Sequence, residues 1–386
     1  MKVLSMAWTI YDSRIKEFSK NYTGGGLVIK NICEYIGRKA ESYLFIGKCW
    51  LSEQTVDNIT IVGTDFKVNE EDTDQVRDEQ YIKNMAQKFE LAVKKINPDI
   101  VNFHGIGELM QLCIEVCIKK NIPYVYTDHL FISRDKKFGQ YNKNIEWQEK
   151  LYHIPDLKVI AVSTGMKNKI LQNFPFISSN NITVIQNGTD FIPDLKVSNL
   201  CEKYALSNKK VLLCVGTIVE RKNQIQAVRA FQLLPEAMQN NIKIVFCGLD
   251  SMNGALQESI HYAKLQDSLI YIGAVNNEEI KKYYSIAQGL IMPSYAEGLS
   301  IAALETIAYG LPVIMFSDSE CAMDLNDEEV VCLAKERSDQ ELANAMIRWY
   351  QKDWDKNYIT EYSKFYSMER MAEDYLKYYR ERTKEK

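Results

Sequence analysis

Short apolar runs alternate with longer stretches whose apolar residues recur at helical spacing, and the alternation continues almost to the end of the chain. Such a pattern predicts βα units around parallel sheets. In the first half, Val3–Ile10, Tyr43–Ile46, Ile59–Val62, Ile100–Phe103, Tyr124–Thr127, Val159–Val162 and Thr183–Ile185 read as strands. An amphipathic pattern over Asp74–Ile96 stops at Asn97-Pro98, where proline blocks a further turn. After Asn187-Gly188-Thr189-Asp190 comes a polar stretch. The alternation then restarts, with strands expected at Val211–Val215, Lys243–Cys247, Leu269–Ile272, Gly289–Met292, Val313–Phe316 and Val330–Leu333. The simplest organisation is two Rossmann-like, doubly wound α/β domains over residues 1–190 and 209–361, joined by a linker over 191–208. Residues 362–386 read as a closing helix whose many aromatics need a surface to bury against.

Composition narrows this picture. A chain of 386 residues suits two domains. Hydrophobic residues at 46% and charged residues at 25% exclude a disordered chain. The net charge of -4 is of the wrong sign for nonspecific nucleic-acid binding, so no nucleic-acid partner is expected. No apolar window reaches the ~18 residues of a membrane helix. The run Met1–Trp8 lacks the basic flank and cleavage site of a secretory signal and reads as a first strand. These features, with nine scattered cysteines, fit a reduced cytoplasmic protein and leave room for peripheral contact at the inner face of a membrane. Cys113 and Cys117 have no second ligand pair, so no metal is expected. The acidic run Glu70-Glu71-Asp72-Thr73-Asp74 reads as a solvated loop and helix start.

The window most suggestive of chemistry is Ile291-Met292-Pro293-Ser294-Tyr295-Ala296-Glu297-Gly298-Leu299-Ser300-Ile301-Ala302-Ala303-Leu304-Glu305. A strand ends at proline, a turn carries Glu297 and Gly298, and a helix begins at once. Backbone N–H groups at such a helix start can hold a diphosphate, with Glu305 within reach of a neighbouring sugar hydroxyl. In Val215-Gly216-Thr217-Ile218-Val219-Glu220-Arg221-Lys222-Asn223, two cations stand where the dipole of the next helix opposes them, and an anion between them would reverse that penalty. Gly24, Gly25 and Gly26 open an amphipathic helix and let a ligand approach the backbone. His104 and His129 lie just beyond strand ends, the side of a parallel sheet where ligands bind. The bland alternatives are a capped helix with an exposed acid, two solvated cations and inert loop histidines.

At these residues the chain resembles a retaining glycosyltransferase of the GT-B fold, close to glycosyltransferase family 4. The motifs occur in the family's order: Gly24–Gly26, His129, Val184-Ile185-Gln186-Asn187-Gly188, Gly216 with Arg221-Lys222-Asn223, then Glu297 and Glu305. The stretch Ser367–Leu376 resembles the last helix, which returns to the N-terminal domain. The resemblance implies a nucleotide-sugar donor, UDP-linked in the leading reading, and a glycan, lipid-linked or protein acceptor, with no metal. Arg221 and Lys222 would neutralise the diphosphate, aided by Gly216, Gly298 and the amides of Leu299 and Ser300. Glu297 would bind sugar hydroxyls and Glu305 the ribose. His129 would contact the transferred sugar, while Gly24, Gly25, Gly26 and His104 would serve the phosphate or acceptor side. The loop from Phe131 to Ile154, with Arg134, Lys136 and Lys137, is a candidate acceptor contact. Thr217, Ser300 and Ala302 depart from the residues common at their positions and bear on the shape of the sugar pocket. The competing readings are a GT-B nucleotide-sugar epimerase, a nicotinamide-dependent oxidoreductase and a catalytically idle sugar-binding protein.

Overall fold

A computed structural model describes residues 1–8, 24–47, 53–64, 79–132, 142–190 and 199–384. The acidic run at 70–74, the cations Arg134, Lys136 and Lys137, and residues 191–198 of the expected linker lie outside the described residues. The chain divides into two compact units. The first comprises Met1–Val162, Met166–Gly188 and Met368–Lys386, and the second comprises Ser163–Gly165 and Thr189–Ser367.

The first unit holds an eight-stranded sheet built from β1 (Lys2–Ala7), β2 (Glu41–Ile46), β3 (Glu53–Val56), β4 (Ile59–Val62), β5 (Ile100–His104), β6 (Tyr124–Asp128), β7 (Val159–Ala161) and β8 (Ile182–Val184). Their order is β3-β4-β2-β1-β5-β6-β7-β8, and only β3 runs antiparallel to its neighbour. β3 is absent from the expected strands because it is a polar edge, with Glu53, Gln54 and Thr55 exposed and no apolar run to announce it. The helix Glu79–Ile96 buries Ile82, Met85, Phe89, Ala92, Val93 and Ile96, a stripe at three- and four-residue spacing. Phe89 meets Phe45 edge to face at 5.3 Å. That contact ties the helix to β2.

The second unit holds β9 (Lys210–Val215), β10 (Ile242–Cys247), β11 (Leu269–Gly273), β12 (Gly289–Met292), β13 (Val313–Phe316) and β14 (Val331–Ala334). All pair in parallel, in the order β11-β10-β9-β12-β13-β14. The strand order reverses between β9 and β12, where Leu212 faces Gly289 and Leu213 faces Leu290. In such sheets this switch point is the binding end. Residues 199–208 are not free linker: the helix Leu200–Lys203 places Leu200 in the second core, and Leu206 joins it.

The closing segment differs from the single helix expected over 362–386. One helix, Lys356–Ser363, is followed by a 3-10 turn, Lys364–Tyr366, and Ser367 is extended at φ -77 and ψ 151. A new helix, Met368–Lys384, then begins. Residues 362–367 therefore belong to the second unit, and the first regains the chain at Met368. Met368, Met371, Ala372, Tyr375, Leu376 and Tyr379 form the buried face of this last helix, which packs on the helix Gly24–Gly37. Phe365 stays 68% exposed, so not every aromatic of the segment finds cover.

Candidate functional site

β9 delivers the chain to Gly216, whose φ of +132 suits glycine alone. A Cβ at Gly216 would lie 2.8 Å from Lys222 Cε and 2.9 Å from its Nζ, so the missing side chain also makes room for the lysine. Arg221 and Lys222 sit in a short 3-10 turn, Glu220–Lys222. Asn223 is left-handed, at φ 52 and ψ 36, and only then does the helix Gln224–Gln232 begin. The cations thus precede the helix instead of standing in its first turn. Gln224 Nε2 donates to the carbonyl of Thr217 at 2.9 Å and fixes the loop from below.

β12 ends at Met292, and the following turn places Glu297 against both cations. Its Oε1 is 2.9 Å from Lys222 Nζ and 3.2 Å from Arg221 Nη1, and accepts from Ser294 Oγ at 2.9 Å. Arg221 also donates to the carbonyl of Ala296, while its own carbonyl accepts from Tyr295 N at 2.8 Å. Glu297 is 7% exposed. Burial alone would raise its pKa, but the Lys222 ammonium and Arg221 guanidinium, with the bonds from Lys222 and Ser294, outweigh burial and hold it at about 2. A carboxylate so held keeps two adjacent cations together in a poorly solvated place. An arriving anion meets cations that are already oriented.

Three residues that the sequence did not single out brace the Glu297 turn. Glu320 Oε2 accepts from Glu297 N at 3.0 Å. Cys321 Sγ accepts from Ser300 N at 3.3 Å and donates to the carbonyl of Gly298 at 3.4 Å. Arg337 donates to the carbonyls of Ser294 at 2.9 Å and Tyr295 at 3.2 Å, with Asp318 as its counter-ion at 2.7 Å. The Ser300 amide, expected to serve a phosphate, is therefore occupied by a thiol in this structure. No local spacing marks these residues, since Glu320 and Cys321 reach the turn from the 3-10 helix Glu320–Met323 and Arg337 from the loop after β14.

Glu305 stands apart from that cluster. It lies in the helix Ile301–Ala308, is 9% exposed, and its Oε2 accepts from Tyr284 Oη at 3.0 Å. Burial pushes its pKa up to about 7, opposed by the Tyr284 bond and aided by the charge of Asp190. Among the described residues no hydrogen bond or ion pair joins it to Glu297, Arg221 or Lys222.

In the first unit the two histidines meet: His104 Nδ1 is 2.9 Å from His129 Nε2. His104 is the last residue of β5 and only 1% exposed, so it is an interior residue and not the open strand-end group expected for phosphate or acceptor contact. Below it, Asn102 donates to Tyr379 Oη at 2.7 Å and accepts from Thr127 Oγ1 at 2.9 Å. Gly24, Gly25 and Gly26 open the helix Gly24–Gly37, and a Cβ at Gly25 would meet no atom of the described residues within 4 Å. Among the described residues, no group of three His, Cys, Asp or Glu side chains could hold a metal ion, and no helix is long and apolar enough to cross a membrane.

Two families match consecutive stretches: "Glycosyltransferase Family 4" over residues 72–191 and "Glycosyl transferases group 1" over residues 199–365. The O-antigen chain mannosyltransferase B of Escherichia coli is 24% identical over 203 residues, 48% of this chain and 53% of that protein. The chain spans about half the length of the curated relatives it first matches. A crystal structure of a glycosyltransferase from Rickettsia africae superposes with a TM-score of 0.74 at 18% identity, covering 100% of this chain and 99% of that one. HepE of Anabaena, solved in complex with UDP and glucose, gives 0.70 at 14%, covering 98% of each. Two parallel α/β units of this topology make the chain a protein of the GT-B fold. It is similar to the group 1 glycosyltransferases over residues 199–365 and to glycosyltransferase family 4 over residues 72–191.

Proposed function

We propose that the chain transfers a hexose-type sugar from a nucleotide-diphosphate sugar, UDP-linked, to an acceptor hydroxyl in glycan or glycoconjugate synthesis. The bond from the anomeric carbon to the diphosphate breaks, a bond to the acceptor oxygen forms on the same face, and the acceptor proton leaves with the diphosphate. The observation that carries this reading is the convergence of Arg221 and Lys222 on one buried carboxylate at the ends of β9 and β12. Negative charge grows on the leaving diphosphate, so both cations act more strongly on the transition state than on the bound donor. No metal ion is needed for that stabilisation.

Gly216 gives Lys222 its place, and the Gly298–Ser300 turn borders the donor. Glu297 accepts from hydroxyls of the transferred sugar, Glu305 from the ribose, and His129 hydrogen-bonds the sugar. Gly24, Gly25 and Gly26 serve the phosphate or acceptor. The sugar complex of HepE and the mannosyltransferase among the relatives support a UDP-sugar donor and a glycan acceptor. The acceptor is a glycan, lipid-linked or protein hydroxyl, met in the cytoplasm or at the inner face of a membrane.

A thermal-shift screen of nucleotides followed by donor hydrolysis tests the reading. UDP should raise the melting temperature, NADH should not, and one UDP-sugar should release UDP. Conversion of the donor to an epimer without acceptor would replace transfer by epimerisation.

A further inference from the structure

β5 and β6 lie side by side, with His104 paired to Thr127, so the last residue of one strand stands next to the first residue beyond the other. The rings of His104 and His129 meet head on. Their nitrogens are 2.9 Å apart, their centroids 5.2 Å and their planes 29° apart. The centroid separation exceeds the nitrogen separation by what two ring radii add when the nitrogens lie between the centres. The contact is therefore an in-plane N–H···N hydrogen bond and not a face-to-face stack.

One proton serves that bond, because burial drives both rings to the neutral form, His104 well below its ordinary 6.5 and His129 to about 4. Two arrangements are available. With its proton on Nε2, His104 would bury an N–H with no acceptor, since among the described residues that atom has no hydrogen-bond partner. With its proton on Nδ1, His104 donates to His129 and leaves only a bare lone pair at Nε2. A buried orphan donor is the rarer and costlier state. The second arrangement makes His129 Nε2 an acceptor and puts the remaining proton of His129 on Nδ1. Among the described residues Asp128 makes no hydrogen bond to either ring; its oxygens accept from Leu130 N at 3.1 Å and Tyr152 Oη at 2.5 Å.

We propose that His104 is a positioning residue that fixes the tautomer of His129, so that His129 offers Nδ1–H as a hydrogen-bond donor to a substrate oxygen and does not act as a general base. Its lone pair is already engaged by His104. The proposal rests on the reading in which His129 touches substrate, and moves His104 from the substrate-contacting residues to the support of one.

The test is nitrogen NMR of the full chain with labelled histidine, which has only four ring systems to assign. At neutral pH, His104 and His129 should both carry the proton on Nδ1, with His104 Nδ1–H donating to His129 Nε2. A protonated Nε2 on His129, or a charged ring, would overturn the proposal. His104→Asn keeps an amide N–H near the place of Nδ1, and should preserve the His129 signature and turnover. His104→Leu should mix the two tautomers of His129 and lower kcat by about 10–100-fold with little change in the donor KM. If the tautomer is as stated but His129→Ala leaves transfer unchanged, the donor role is wrong while the transferase reading stands. If no sugar donor is turned over by the unaltered chain, the transferase reading fails, and with it the substrate role of His129.

Discussion

The two units each bury polar side chains at the carboxyl ends of neighbouring parallel strands, and they meet the cost of burial in opposite ways. In the second unit the charges remain: Lys222 and Arg221 close on Glu297, which stays ionised down to about pH 2. In the first unit the two histidines give up their charge: His104 and His129 are held neutral, and Asn102, Thr127 and Tyr379 are linked by neutral hydrogen bonds. A buried ion is tolerable when paired and a buried base when deprotonated. The difference suits different ligands. A preformed cation pair responds to an anion whose charge grows, whereas a neutral network with a fixed donor responds to a hydroxyl.

Lys222→Ala should break this comparison most severely. It leaves Glu297 with one cation in place of two, and removal of one partner from a buried pair costs about 3–5 kcal/mol. Donor turnover should fall by about 100–1000-fold, the range for losing one charge-stabilising donor. Turnover within a few-fold of the unaltered chain would remove the cation pair from the mechanism. Gly216→Ala comes next. Its added Cβ would meet the Lys222 side chain at 2.8 Å on a backbone of φ +132. Steric strain and backbone strain together predict a loss of about 2–3 kcal/mol in chemical denaturation. The stabilisation by UDP should shrink as it does in Lys222→Ala.

Much of the fold and of the ionic site is legible in the amino-acid sequence, for physical reasons that also explain the gaps. Strands such as β9 and β12 are covered on both faces and appear as unbroken apolar runs, whereas β3 is an exposed edge of Glu53, Gln54 and Thr55. The break at Ser367 is hidden because aromatics continue on both sides of it. Gly216, Arg221, Lys222 and Glu297 follow strand ends directly and can be picked out by position. Glu320, Cys321 and Arg337 cannot, since they reach the Glu297 turn from segments distant in the chain. Tyr284 resembles any core aromatic, and only the folded chain brings its hydroxyl to Glu305. The expectation of an open strand-end group at His104 fails because β5 extends one residue further than its apolar run, into the interior.

The two glutamates sharpen the comparison within one unit. Glu297 is depressed from 4.5 to about 2, so between those values the unfolded chain binds more protons than the folded one. Its stabilising contribution is complete above about pH 4.5 and is lost as pH falls toward 2. Glu305 is raised from 4.5 to about 7, so the folded chain holds the extra proton in that window. Stability from this group should therefore decline as pH rises from about 4.5 through 7, by on the order of 3 kcal/mol. Glu305→Gln keeps an acceptor for Tyr284 and removes the titration. In urea denaturation, the variant should gain on the unaltered chain from pH 5 to 7 and run parallel to it above. A constant difference over that range would place Glu305 among the ordinary carboxylates.

Tyr379→Phe should have the smallest effect. The substitution keeps the ring in the buried face of the last helix and removes the oxygen that accepts from Asn102 Nδ2 at 2.7 Å. An orphaned amide donor in the interior predicts a loss of about 1–2 kcal/mol. Asn102 does not titrate, and burial raises the Tyr379 pKa well above its ordinary 10. The loss should therefore be the same at pH 5 and pH 8, in contrast to the slope expected for Glu305→Gln. Thermal stabilisation by UDP should also be unchanged, since donor binding is assigned to the cation pair. A loss that grows with pH would reveal a charge in the first unit's network, and the division into an ionic site and a neutral one would fail there.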